Sequence, residues 1–206
     1  MSRTEEFMSE SKAVVLCSGG MDSVTVLNLV ALDGIKPSNI TVLFVSYGQK
    51  TVNKERECSK IAASRLGANW IDFELRDLAK ITKTALIHDQ NLPTEVQGRN
   101  TILIGLGSAL AQTLKAESLF IGIQSADVIY GDAQPEYFEH ISKAIKIAYN
   151  VNLQAPLLNK TKREIIEIAK KINLDLNMTY SCYFNEYEPC GICPSCKVRM
   201  AAENQP

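Results

Sequence analysis

The string Ser18-Gly19-Gly20-Met21-Asp22-Ser23 carries residue types that a polyphosphate needs. Gly19 and Gly20 permit unusual dihedrals and let the main chain approach a ligand closely. Ser18 and Ser23 add hydroxyl groups. An apolar stretch, VTVLNLVA, follows at once and reads as a helix. Its first N–H groups form the positive end of a helix dipole, which favours an anion. The loop therefore suits a phosphate chain. No GxxxxGKS or GxxxxGKT string occurs, so it is not a Walker A loop. The plainer alternative is a strand-to-helix turn capped by Ser or Asp. Asp22 has two readings of its own. It caps the helix, or it helps to hold magnesium, which takes one or two carboxylates beside phosphate oxygens.

A second group lies near the other end of the chain. Cys182, Cys190, Cys193 and Cys196 form the spacing C-x7-C-x2-C-x2-C, with Gly191 and Pro194 allowing tight turns inside it. Four thiolates gathered this way make a closed tetrahedral zinc site, and a closed site is structural. An iron–sulfur cluster and a redox CxxC pair are the rival readings. Cys17, at the end of a strand, and Cys58, on a helix, read as small buried hydrophobes without catalytic work. His88 and His140 show no partner pattern.

These residues need a scaffold to hold them. The chain has 206 residues, 46% hydrophobic and 22% charged, which suits one α/β domain with a small appendage. Lys and Arg number 22 against 23 Asp and Glu, a net charge of −1. That balance opposes a protein whose main task is gripping nucleic acid through its phosphates. No run reaches the roughly 18 apolar residues that span a bilayer. Residues 1–12 hold Glu5, Glu6 and Glu10 and no apolar core, so they read as a flexible tail rather than a signal peptide. A cytoplasmic setting is the expectation, and it keeps thiols reduced.

Short apolar runs alternate with helical patterns. Strands are expected at Ala13 to Cys17, Thr41 to Ser46, Trp70 to Glu74 and Ser118 to Ile123, with a fifth near Gln154 to Leu157. Helices are expected at Ser23 to Asp33, Val52 to Leu66, Thr101 to Lys115, Pro135 to Asn150 and Lys162 to Ile172. The alternation predicts a doubly wound, mostly parallel sheet, whose ligands sit at the carboxyl ends of the strands. Residues 13–179 form the expected nucleotide-binding domain. Residues 180–206 form the four-cysteine segment with a C-terminal helix. Lys80 to Arg99 is long and weakly patterned, the mark of a lid or binding loop.

The loop SGGMDS after a first strand resembles the SGGxDS loop of the PP-loop ATP pyrophosphatases, an adenine nucleotide alpha hydrolase-like fold that splits ATP between its α- and β-phosphates. Together with the cysteine spacing it resembles the QueC family, the 7-cyano-7-deazaguanine synthases, over nearly the whole chain. Tyr47-Gly48-Gln49 is similar to that family's YGQ. Pro93 with Gly98-Arg99-Asn100 is similar to its P-x4-GRN stretch. Pro156-Leu157 with Lys162-Arg163-Glu164 is similar to its PL and K-x-E strings. Thr179 to Tyr183, TYSCY, is similar to its entry to the cysteine knuckle.

The resemblance implies an ATP-dependent carbon–nitrogen ligase. ATP is its co-substrate, magnesium and a structural zinc its metals, 7-carboxy-7-deazaguanine and free ammonia its partners. It implies a homodimer and no membrane. Cys17, Ser18, Gly19, Gly20, Met21, Asp22 and Ser23 would hold the ATP phosphates. Ser46, Tyr47 and Gly48 would flank the adenosine. Asp22, Arg99 and Lys162 would carry the catalytic charge, although a surface ion pair is the alternative for Arg99 and Lys162. Tyr130 would stack on the purine-like base, with Asp127 or Asp132 accepting from its N–H edge. The family's Pro-Asp-Cys-Arg is here Gly131-Asp132-Ala133-Gln134. That departure leaves further readings open: a ligase joining the deazaguanine acid to an amine on a protein or nucleic acid, and a PP-loop tRNA-modifying enzyme. A zinc-ribbon nucleic-acid module is the non-enzymatic alternative.

Overall fold

The chain builds β1 (Ala13–Leu16), β2 (Ile40–Ser46), β3 (Asn69–Glu74), β4 (Ser118–Phe120) and β5 (Asn152–Gln154). Between and after them lie α1 (Met21–Leu32), α2 (Val52–Leu66), α3 (Leu78–Ile81), α4 (Arg99–Leu114), α5 (Pro135–Tyr149), α6 (Lys162–Lys171) and α7 (Pro194–Glu203). The structure is a computed structural model and describes residues 10–203. The strands pair in parallel in the order β3-β2-β1-β4-β5.

Strand periodicity divides the core into two layers. Ala13 and Val15 of β1 join an apolar cluster with α1, α2 and α6, through Val24, Ala63 and Ile165. Val14 and Leu16 join the opposite cluster with α4 and α5, through Ile104 and Ile145. Both faces of β1 and β2 are covered, so every residue of each is buried. That is why their sequences run continuously apolar instead of alternating. The chain winds from β1 to β3 on one side and places β4 and β5 on the other. The order reverses between β1 and β4, where open α/β sheets form a crevice beyond their carboxyl ends.

Several boundaries differ from expectation for local reasons. β4 ends at Phe120, before the expected Ile123. Gly122 lies against the first turn of α1, and an added Cβ there would sit 2.9 Å from the Ser23 nitrogen. Helix packing thus replaces strand pairing at that point. α1 and α4 each start two residues early, after the extended backbone of Gly20 and the left-handed Gly98 at φ 70°. β5 falls just ahead of its expected place, and α3 is an addition. The 80–99 segment folds down onto the body, with Ala85, Leu86 and Val96 buried. The expected C-terminal helix is α7. The tail expected over residues 1–12 lies outside the described residues except for its last three. Among the described residues no helix is long and apolar enough to cross a membrane.

Candidate functional site

A cleft opens at the carboxyl ends of β1, β2 and β4, and the glycine loop forms its floor. Gly19 sits at φ 80°, and a Cβ there would lie 2.4 Å from the Glu55 carbonyl oxygen. The loop is pressed against α2 so closely that no other residue fits. α1 then begins with no side-chain cap. Its first intrahelical bond runs from Val24 N to Gly20 O at 3.0 Å, so the N–H groups of Met21, Asp22 and Ser23 precede the ladder. Ser23 Oγ donates to Gly20 O at 3.0 Å and lies 3.3 Å from Ser18 Oγ, which arrays both hydroxyls beside those N–H groups. A second helix start at the cleft is finished differently. At α6, Thr161 Oγ1 accepts from Glu164 N at 3.3 Å, while the Glu164 carboxylate accepts from Thr161 N at 2.8 Å. One N-terminus is closed by its own side chains and the other is left open.

Lys162, the first residue of α6, reaches across to Asp22. Its Nζ donates to both carboxylate oxygens, at 2.6 and 2.7 Å. Asp22 is therefore an ion-pair partner and not a helix cap. The resemblance ran through K-x-E, and the two residues divide their work: Glu164 closes α6 and Lys162 enters the cleft. Asp127 lies close by. Burial pushes its carboxyl up and the Asp22 charge adds to this, against a hydrogen bond from Gln124 N and the charges of Lys162 and Arg99.

Among the residues expected at the site, the structure gathers Cys17, Ser18, Gly20, Met21, Asp22, Ser23, Tyr47, Arg99, Asp127, Tyr130 and Lys162 along the cleft. Four lie outside its lining. Gly19 turns beneath the loop. Ser46 is buried, and its Oγ has no hydrogen-bond partner. Gly48 makes the left-handed turn, φ 92°, that follows Tyr47. Asp132 faces the start of α4, where its carboxylate accepts from Asn100 N at 2.8 Å and from the Asn100 side chain at 3.2 Å. Cys17 is packed under the loop and burial raises its thiol, which fits a packing role.

The fold also brings residues that the sequence reading left unassigned. Gln49, Thr51 and Glu55 come from the start of α2, and Tyr180 and Tyr183 from the cysteine segment. Arg99 Nη1 donates to Tyr47 Oη at 3.2 Å. Glu55 accepts from Thr51 Oγ1 at 2.5 Å and from Gln49 Nε2 at 3.0 Å. Burial pushes its carboxyl up, while those two hydrogen bonds pull it down. Burial likewise raises the Tyr183 phenol to about 12, so it is neutral at physiological pH. Gln49 and Tyr183 sit within the family-like YGQ and TYSCY strings. Glu55 carries no such sign, because an acidic residue in a first helical turn reads as dipole compensation.

The cysteine knuckle forms one wall. The four sulfurs of Cys182, Cys190, Cys193 and Cys196 all lie within 4.8 Å of one another. Backbone N–H groups point at them: Phe184 and Cys190 donate to Cys182 Sγ, Cys193 to Cys190 Sγ and Cys196 to Cys193 Sγ, at 3.4 to 3.5 Å. Burial opposes ionisation of Cys182, but those N–H groups prevail and bring it down to about 7. The knuckle is tied to the glycine loop by Tyr180 N donating to Gly19 O at 2.9 Å. Arg199 of α7 anchors it from behind through Leu176 O at 2.8 Å and Thr179 O at 3.1 Å.

Residues 12–205 match the family described as "Queuosine biosynthesis protein QueC". A relative from Methanoculleus marisnigri, named 7-cyano-7-deazaguanine synthase, is 32% identical over 93% of each chain. One of the same name from Methanospirillum hungatei is 34% identical, covering 94% of this chain and 95% of its own. Among solved structures, the U34-tRNA thiolase NcsA from Methanococcus maripaludis, determined with its 4Fe–4S cluster, superposes with a TM-score of 0.61 at 17% identity. It covers 97% of this chain and 67% of its own, a likeness of fold alone.

Proposed function

The chain belongs to the QueC family, and on that premise we propose that it converts 7-carboxy-7-deazaguanine and ammonia to 7-cyano-7-deazaguanine with two molecules of ATP. The observation that carries this reading is the open N-terminus of α1, with the Lys162–Asp22 pair at its mouth. It is a site for a phosphate chain.

A carboxylate resists attack by ammonia because it is negative and its carbonyl is resonance-stabilised. In the proposed reaction a carboxylate oxygen attacks the α-phosphorus of ATP and pyrophosphate leaves. Ammonia then adds to the acyl carbon, AMP departs with that oxygen, and an amide remains. The amide oxygen attacks a second ATP in the same way. Loss of AMP and of the amide protons leaves the nitrile. The protein's share is positioning and charge.

Ser18, Ser23 and the first N–H groups of α1 hold phosphate oxygens. Arg99 and Lys162 offset developing charge, Arg as a fork and Lys as a point charge. Asp22 would hold magnesium, which would neutralise phosphate charge there; in this structure the cation it pairs with is Lys162. Tyr47 flanks the adenosine, with Ser46 and Gly48 shaping its turn. Asp127 and Tyr130 face the acid. Asp132 supports the start of α4 and so the placement of Arg99.

The four cysteines would hold zinc, which supplies structural cross-linking there. A tetrahedral ion with Zn–S near 2.3 Å sets its sulfurs about 3.8 Å apart. The four sulfurs lie within 4.8 Å of one another, which supports that tetrahedron over a four-iron cubane, whose thiolates are spread wider.

The test is the product spectrum. Protein incubated with ATP, magnesium, 7-carboxy-7-deazaguanine and ammonium should yield the nitrile by mass spectrometry, with two AMP for each. AMP release without nitrile, with product appearing only when another amine is supplied, would overturn the reading.

A further inference from the structure

We infer that Glu55 is the specificity residue for the acid substrate, accepting hydrogen bonds from the N1–H and 2-amino groups of its deazaguanine ring. The inference rests on the proposed reaction and names which part of the cleft reads the base.

The cleft has two chemically distinct compartments. Leu43, Val45, Leu103, Ile121 and Ile123 make an apolar one at the ends of β2 and β4 and on α4. Flat apolar walls suit the face of an adenine. Gln49, Thr51, Glu55, Arg99 and Tyr183 make a polar one where α2, α4 and the knuckle converge. Two purine-like rings must bind, and their edges differ. A 2-amino-4-oxopyrimidine edge offers two adjacent donors, N1–H and the 2-amino group. A carboxylate offers two adjacent acceptors and matches it in parallel. Adenine offers one donor beside an acceptor nitrogen, which a carboxylate repels.

Among the carboxylates lining the cleft, Glu55 is the one arranged for this. Asp22 has both oxygens on Lys162. Asp127 has Oδ2 engaged by Gln124 N and sits in the field of Asp22 and Lys162. Glu55 instead receives one neutral donor on each oxygen, from Thr51 and Gln49, and each oxygen keeps a second lone pair. Gln49 is itself held, because its Oε1 accepts from Tyr47 N at 2.8 Å. The carboxylate is thus aimed before any ligand arrives, which lowers the ordering cost of recognition.

The experiment compares 7-carboxy-7-deazaguanine with its 2-deamino counterpart. Wild-type protein should prefer the 2-amino acid by about 10- to 100-fold in kcat/KM, the range for hydrogen bonds to a charged group. In Glu55→Gln that preference should shrink to within about threefold, with the KM for ATP unchanged, since the new amide opposes one donor with another. Thr51→Val removes one donor to Glu55 and gives a second readout, a partial loss of about two- to tenfold, should Glu55→Gln fail to fold. A Glu55→Gln protein that keeps the full preference overturns the inference. So does one whose KM for ATP rises while the preference survives, which would place adenine at Glu55. Wild-type protein that forms no nitrile at all defeats the proposed reaction instead, so the two failures are distinct.

Discussion

The glycine loop and the cysteine knuckle meet at one hydrogen bond, Tyr180 N to Gly19 O, yet they are built on opposite principles. The glycine loop is shaped by packing. Its turn is set by contact with α2 on one side and by Gly122 of the β4 extension on the other, both closer than any Cβ allows. It is complete without a ligand and keeps the first N–H groups of α1 out of the helical ladder for one. The knuckle has almost no apolar core of its own beyond the cysteines, Cys58 and a few aromatic rings. Four thiols turned toward one point could hold an ion, and the binding energy of such an ion would be folding energy for the segment. On the proposed reading one loop is preorganised for a ligand that comes and goes, and the other would be organised by an ion that stays. A cleft walled by both inherits rigidity from two sources.

That contrast can be broken from either side. Cys193→Ala should have the largest effect, since an incomplete thiolate set forfeits metal-linked folding energy: several kcal/mol, or a melting temperature lower by roughly 10 °C. Metal content measured with thermal unfolding checks this, and full metal with unchanged melting contradicts it. Asp22→Ala should do the reverse. AMP formation should fall by roughly 10²–10³-fold or more with the fold retained, read by turnover alongside circular dichroism. Gly19→Ala should cost about 1–3 kcal/mol through overpacking against α2, more than is usual for an alanine in a loop. Denaturant midpoints would show it, and a neutral result would mean that packing does not set the turn. Thr161→Ala should cost only about 1 kcal/mol by uncapping α6, with turnover little changed, because that helix start is closed and not a ligand site.

Much of the site was legible in advance because it is local. The glycine loop is six consecutive residues whose dihedral freedom and hydroxyls can be read directly. The cysteine spacing specifies four ligands without knowledge of the fold. Parallel sheet topology followed from short, mostly apolar strand runs alternating with helical patterns. What escaped depends on distance. Glu55 lies 37 positions after Ser18, and only the packing of α2 against the glycine loop brings it into the cleft. Asp132 was placed by local pattern beside Tyr130, but its side chain turns to the start of α4, because Asn100 offers it two donors there. Lys162 and Glu164 stand two apart in one K-x-E string, where a surface ion pair was the alternative for Lys162. Their division between cleft and cap is decided by Asp22, 140 positions away.

The central claim is that the open start of α1 delivers the AMP of ATP to an oxygen of the acid. Acid labelled with oxygen-18 in its carboxylate follows that oxygen directly. Mass spectrometry of the released nucleotide should find one labelled oxygen in every AMP, from both rounds of activation. Unlabelled AMP beside a labelled inorganic product would mean that the bond to the acid forms at another phosphorus, and the account would be wrong.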